Sequence, residues 1–209
     1  MKGFIFDLDG VIVSTDGLHY LAWKKMADKE GIYFDEEINN RLRGVSRMAS
    51  LEIVLERASR AYSEEEKVAL ATYKNDVYRE LLKSLTPEDI LPGVTAVLNG
   101  LRSRGYKLAI GSSSKNAKFI LKQLGLEGYF DAISDGTNIT RSKPDPQVFQ
   151  MAAQFLNLRP EECLVVEDAV AGIDAAKDGG FAAAGLGEAA EYGRTDHPLN
   201  TFGDLCGIL

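Results

Sequence analysis

At 209 residues, with 45% hydrophobic and 26% charged residues, the chain has the composition of an ordinary soluble globular protein and enough apolar content for one sizeable core or two smaller ones. A formal net charge of −7 argues against a surface that holds nucleic acid or anionic membrane, since both need basic patches; small anionic substrates stay open, because a few local cations suffice for a phosphate. No apolar run approaches the length of a membrane span and no basic-then-apolar leader opens the sequence, so the expected location is the cytoplasm.

The first β-prone run, GFIF (3–6), ends in FDLDGV (6–11), where Asp7 and Asp9 flank Leu8 and a glycine follows. From Ser14 to about Glu88 only helical patterns follow: DGLHYLAWKKMADKEG, EEINNRLRG, SRMASLEIVLERASRAY and SEEEKVALATYKNDVYRELLKSL. A crossover between parallel strands needs a dozen or so residues, and this one has about seventy. The pattern predicts a helical subdomain over 15–88, inserted into a domain made of 1–14 and 89–209. Its two connections, near Val13–Asp16 and Thr86–Pro92, would permit hinge motion.

Beyond the insertion, strand and helix alternate. Strands are expected at YKLAI (106–110), FDAIS (130–134), CLVV (163–166) and FAAAG (181–185). Helices are expected at 94–105, 115–126, 146–158 and 169–180. Apolar strands alternating with helices indicate an α/β fold with a doubly wound parallel sheet covered on both faces. Cys163 falls inside an apolar run and reads as a core residue, and with Cys206 it makes no metal-ligand spacing.

Ligands of such sheets bind beyond the carboxyl ends of the strands. Asp7 and Asp9 follow the first strand, GSSSKN (111–116) the second, Lys143 in RSKPDP the third, and Glu167 and Asp168 the fourth. Each has a plain alternative: a solvated turn, a helix cap with its first turn, a surface lysine, and a cap for the helix beginning at Ala169. Their joint occurrence after successive strands favours one site. Its chemistry suits phosphoryl transfer through an aspartyl phosphate. Mg²⁺ between Asp7 and Asp168, with Lys143, would offset the charge of nucleophile and phosphate, and Ser112 with nearby backbone N–H groups would take the equatorial oxygens. Asp9, two residues beyond the nucleophile, is placed to serve as general acid and then base.

FDLDG, SS after a strand, SKP and VVEDA, in that order, resemble the four-part signature of the haloacid dehalogenase superfamily. HYLAW (19–23), LRGVSRMASL (42–51), YKND (73–76), LPGV (91–94), SSSKN and GYFDAISD (128–135) resemble its β-phosphoglucomutase group, and the likeness thins after about Gly187. The resemblance implies a HAD-like, Rossmannoid core with an inserted helical cap. It implies interconversion of β-glucose 1-phosphate and glucose 6-phosphate, with glucose 1,6-bisphosphate as the priming intermediate. Asp7 would be the nucleophile and Asp9 the acid/base. Asp7, the Asp9 carbonyl, Glu167 and Asp168 would hold one Mg²⁺, and Ser112 and Lys143 the transferring phosphate. Arg47, Ser114, Lys115 and Asn116 would grip the distal phosphate. Gly44, Val45, Ser46, Ser50, Ser113, Trp23 and Lys74 would complete the substrate site, and Thr15 and His19 the hinge. Arg47 could instead be a solvated helix-start residue, Trp23 core of the helical subdomain, and His19 a quietly packed side chain. Where the group carries an acidic residue this chain has Ser14, which could cap the following helix. A site closed by its own cap needs no partner chain, so a monomer is expected. A hexose-phosphate hydrolase is the alternative activity. A silent sugar-phosphate binder is disfavoured by the Asp7, Asp9, Lys143 and Asp168 set.

Overall fold

The computed structural model describes residues 1–42 and 45–208. The chain forms two units, one of Met1–Ser14 with Thr86–Leu209 and one of Thr15–Leu85. No helix among the described residues is long and apolar enough to cross a membrane.

The first unit carries a parallel sheet of β1 (Gly3–Phe6), β2 (Lys107–Gly111), β3 (Ala132–Ser134), β4 (Cys163–Glu167), β5 (Ala182–Gly185) and β6 (His197–Pro198), in the spatial order β3-β2-β1-β4-β5-β6. The chain runs outward through β2 and β3, then returns to the far side of β1 to lay down β4. The strand order therefore reverses beside β1, the position where open α/β sheets leave a crevice. Phe6 is level with Ile110 and with Val166, so the next residue, Asp7, leaves the sheet between the ends of β2 and β4.

Alternation along β1 divides the core. Ile5 faces Val148, Phe149 and Ala152 of α7 (Gln147–Phe155) and Ile173 and Ala176 of α8 (Val170–Asp178). Phe4 and Phe6 face the other way: Phe4 meets Tyr106 edge-on at 5.2 Å, and Phe6 lies 5.7 Å from Phe202 and 6.4 Å from Phe130. All three β1 residues are fully buried, as both-faces coverage requires. The helices α5 (Val94–Ser103) and α6 (Ala117–Gln123) fall inside the expected segments 94–105 and 115–126 and are shorter than them. β6 has no counterpart in the sequence reading, because two residues, one of them a proline, carry no periodic signal.

The helical unit contains α1 (Asp16–Lys29), α2 (Glu36–Asn40), α3 (Arg47–Leu55) and α4 (Glu64–Leu82). Trp23, Met26 and Ala27 of α1 share a core with Phe34, Ile38, Leu51, Val54, Leu70 and Ala71. Helix α3 is shorter than its pattern suggested. At its end the N–H groups of Arg57 and Ala58 turn to the carbonyls three residues back, and the chain bends towards α4. The expectation that Ser14 caps α1 is not met: Ser14 is exposed, the N-cap is Thr15, and Thr15 Oγ1 accepts from the Tyr78 hydroxyl at 2.9 Å instead of capping.

Helix α4 starts on a complete capping box. Ser63 Oγ accepts from the Glu66 N–H at 3.3 Å, and the Glu66 carboxylate accepts from the Ser63 N–H at 2.8 Å. Glu64, Glu65 and Glu66 also place negative charge at the positive end of the helix. Ser63→Ala is expected to destabilise the helical unit by about 1 kcal/mol, read as a lower urea midpoint at unchanged slope.

Candidate active site

Asp7 is fixed by its own backbone. Its N–H donates to the Val166 carbonyl at 3.0 Å, and its carboxylate sits buried at the sheet edge. Glu167, the last residue of β4, is 1% exposed. Its Oε2 accepts from the N–H groups of Asp168 and Ala169 at 2.9 and 3.0 Å, which leaves Oε1 for Lys143. The Lys143 ammonium donates to both Asp7 Oδ1 and Glu167 Oε1, and it lies 4.6 Å from the centre of the Phe149 ring. Asp7, Glu167 and Asp168 each offer a carboxylate oxygen, all within 4.8 Å of one another. Neither Glu167 nor Asp168 is the N-cap of α8, which is Ala169 with no side-chain cap bond; Glu167 accepts from the Ala169 N–H just ahead of the helix.

Asp9 lies in a tight turn closed by Gly10 N–H to Val13 O at 2.7 Å and by Ile12 and Val13 N–H to Leu8 O. Gly10 there has φ +84°, and a Cβ on it would overlap the Asp168 carboxylate. The glycine of FDLDG thus lets the turn bearing Asp9 approach Asp168 closely.

Burial and crowding set the charges. Desolvation, with the neighbouring Glu167 and Asp9 charges, raises the Asp7 pKa to about 7 against the opposing pull of Lys143. Desolvation and the charges of Glu167, Asp7 and Asp9 raise Asp168 to about 8. Lys143 is held above the usual ammonium value by Asp7 and Glu167, which outweigh its own burial. Three carboxylates share one ammonium, and the cluster is short of positive charge.

Residues 112–116 form a loop rather than the first turn of a helix; α6 begins at Ala117. The buried Ser112 donates its N–H to Ser134 O at 3.0 Å, and its Oγ accepts from Ser114 N–H at 3.2 Å. Ser114 Oγ accepts from Asn116 N–H at 3.1 Å, and Ser113 Oγ from Lys143 N–H at 3.5 Å. Asn116 is buried and Lys115 exposed.

In the helical unit, Gly44 lies outside the described residues. Ser46 caps α3 by accepting from Ala49 N–H at 3.3 Å, Ser50 is buried, and Val45 is 37% exposed. Arg47 opens α3, partly buried, and loss of hydration brings its guanidinium below the usual value despite Asp76 and Tyr78. Trp23 is core, 3% exposed. The buried Lys74 ammonium lies 4.8 Å from the Trp23 ring centre, 4.7 Å from that of Tyr78 and 2.8 Å from His19 Nδ1. An ammonium has only donors, so Nδ1 accepts and the imidazole proton is on Nε2. Burial, Lys74 and Arg47 all push His19 well below its ordinary value, and it is neutral at pH 7.

The family description of haloacid dehalogenase-like hydrolases matches residues 1–180. The chain belongs to the haloacid dehalogenase family. Within it, the chain is 45% identical over 207 residues to a β-phosphoglucomutase of Bacillus subtilis strain 168, covering 98% of this chain and 92% of the relative. A crystal structure of β-phosphoglucomutase from Clostridium difficile superposes with a TM-score of 0.90 at 40% identity, covering 98% of this chain and 93% of that one. A fructose-1-phosphate phosphatase of Escherichia coli K12 is 35% identical over 182 residues, 86% of this chain and 93% of the relative.

Haloacid dehalogenase chemistry implies Mg²⁺, and the donor set fits it. Asp7, Glu167 and Asp168 present only hard carboxylate oxygens, and the single Lys143 ammonium leaves the three of them short of positive charge. Sequence reasoning gave no role to Asp135, the end of the GYFDAISD stretch, or to Gly136, whose N–H donates to Ser114 O at 3.1 Å; the signal available was their place directly after a strand.

Mg²⁺ is expected to raise the melting temperature of the wild-type chain, and more at pH 8 than at pH 6, because Asp7 and Asp168 must shed protons to bind it. Asp168→Asn is expected to remove most of that rise in a thermal melt. For His19 the unfolded chain takes up a proton near 6.5 while the folded chain does not. Its contribution is whole above that pH and is lost as the pH falls, at up to about 1.4 kcal/mol per unit. Wild type minus His19→Asn in urea stability is therefore expected to shrink from pH 7 to pH 5.

Proposed function

We propose that this chain is a Mg²⁺-dependent phosphomutase, an isomerase that interconverts β-D-glucose 1-phosphate and glucose 6-phosphate. The observation that carries the reading is the likeness to a β-phosphoglucomutase along nearly the whole chain, through the helical unit as well as the sheet. Sharing only the phosphoryl-transfer site would not require the first of these to match.

In the proposed cycle Asp7 starts phosphorylated. The C6 hydroxyl of β-glucose 1-phosphate attacks the phosphorus, Asp9 takes the hydroxyl proton, and the Asp7 carboxylate departs. The product, glucose 1,6-bisphosphate, turns end for end. Asp7 then attacks the C1 phosphate, Asp9 returns its proton to the C1 oxygen, and glucose 6-phosphate leaves with Asp7 phosphorylated again. Asp7, Glu167 and Asp168 would hold Mg²⁺, which would supply positive charge to offset that of the nucleophile and the phosphate. Lys143, already in place between Asp7 and Glu167, adds a fixed charge, and Ser112 a hydroxyl donor.

A mutase must hold a phosphate at each end of its substrate. Arg47, with Val45, Ser46 and Ser50 beside it in sequence, is assigned to the second phosphate together with Ser114, Lys115 and Asn116. A guanidinium offers the planar, multidentate donors that task needs. Lys74 is assigned to the sugar side, with Trp23 as its support. Thr15 and His19, both tied to α4 through Tyr78 and Lys74, are assigned to the hinge. All the residues assigned to the site come from one chain, and we place the enzyme as a monomer in the cytoplasm.

The second reading is a hexose-phosphate hydrolase, favoured by the 35% identical phosphatase and by the uncapped start of α1 at Ser14 and Thr15. Following glucose 6-phosphate and free phosphate together, from β-glucose 1-phosphate with Mg²⁺ and a trace of the bisphosphate, separates the two. The mutase gives glucose 6-phosphate with little phosphate released; phosphate release equal to substrate loss makes the chain a hydrolase. Asp9→Asn is expected to lower kcat by about 10²–10⁴-fold. Arg47→Ala is expected to cut glucose 6-phosphate formation far more than phosphate release.

A further inference from the structure

The loop at 112–116 is held from outside, by the turn that follows β3. Ser112 N–H donates at 3.0 Å to the carbonyl of Ser134, the last residue of β3, and Gly136 N–H, in the turn, donates to Ser114 O at 3.1 Å, so the pairing of β2 with β3 continues from the strand onto the turn. The approach is close enough to demand glycine. A Cβ on Gly136 would overlap the Ser113 carbonyl oxygen and crowd the Lys115 N–H, and both are backbone atoms that cannot swing aside.

The turn is itself over-determined. Asp135 Oδ1 accepts from Thr137 N–H at 2.9 Å and from Thr137 Oγ1 at 2.5 Å. Asn138 Oδ1 accepts from Asp135 N–H at 3.0 Å and from Ser134 Oγ at 3.3 Å. Asp135 is fully buried, and its Oδ2 has no hydrogen-bond partner among the described residues; the Lys118 ammonium stands 3.9 Å away. Burying a carboxylate with one oxygen unbonded is unfavourable, and such a group in a native fold calls for an explanation.

We propose that the turn Asp135–Asn138 is the template that sets the phosphate-gripping loop, with Asp135 and Gly136 as positioning residues for the Ser114–Asn116 half. The buried carboxylate fixes the turn and the missing Cβ lets the loop lie against it. This rests on the reading of residues 112–116 as a phosphate site. It assigns neither residue a contact with substrate.

The test is the dissociation constant for inorganic phosphate in the presence of Mg²⁺, with KM and kcat for β-glucose 1-phosphate, in Gly136→Ala, Asp135→Ala and Asp135→Asn. The Asn variant keeps the oxygen that Thr137 uses. Gly136→Ala and Asp135→Ala are expected to raise the phosphate dissociation constant and KM about tenfold, with kcat changed less than threefold, while Asp135→Asn stays within threefold of wild type on all three. If Gly136→Ala fails to fold, the Asp135 pair decides. Folded Gly136→Ala or Asp135→Ala with wild-type phosphate binding overturns the proposal, as does Asp135→Asn impaired as much as Asp135→Ala. A wild-type chain that binds no phosphate overturns it too. A wild-type chain that binds phosphate but forms no glucose 6-phosphate overturns the mutase alone, and the binding constants still decide the role of the turn.

Discussion

The Lys143 ammonium between Asp7 and Glu167 is the interaction on which the sheet edge depends. Carboxylates are rarely buried, and these two are at most 9% exposed, with Asp168 beside them. Removing them from water costs several kcal/mol per charge unless each finds a partner. Lys143 partners two at once, and the backbone N–H groups of Asp168 and Ala169 satisfy the remaining oxygen of Glu167. The arrangement is poised rather than neutralised. Asp7 and Asp168 remain raised to about 7 and about 8, so the cluster favours whatever brings further positive charge.

That dependence explains what the sequence could and could not reveal. The strand ends were legible because buried parallel strands are uniformly apolar, so CLVV running into Glu167 and GFIF into Asp7 mark the edge without ambiguity. The topology then brings Asp7 between the second and fourth strands, and Lys143 from a loop far along the chain completes the cluster. Other features were illegible for equally physical reasons. Gly10 reads as a turn glycine, while its tight fit against Asp168 exists only in three dimensions. Ser14 reads as a cap, yet the N-cap falls on Thr15, whose hydroxyl is taken by Tyr78 from α4, a tertiary contact that local propensity does not encode. Trp23 was equally compatible with core and with a cavity wall, and burial places it in the core.

The helical unit answers a different demand. Lys74 is a buried cation set against the aromatic faces of Trp23 and Tyr78 and a neutral imidazole. Tyr78 stacks on His19 at 4.0 Å while its hydroxyl holds Thr15, so α1 and α4 are locked by one short polar chain inside an apolar interface. Such a chain rigidifies because its polar groups satisfy one another away from water, with the His19 proton on Nε2.

The strand order also governs how the molecule comes to be made. β1 is the middle of the sheet, yet its two neighbours begin only at Lys107 and Cys163. During synthesis, GFIF has no partner until those later segments emerge, whereas residues 15–85 are contiguous and close upon themselves through nearby contacts. The helical unit is thus free to fold on the ribosome while the apolar first strand waits, and Asp7 acquires its surroundings only when the sheet closes around it.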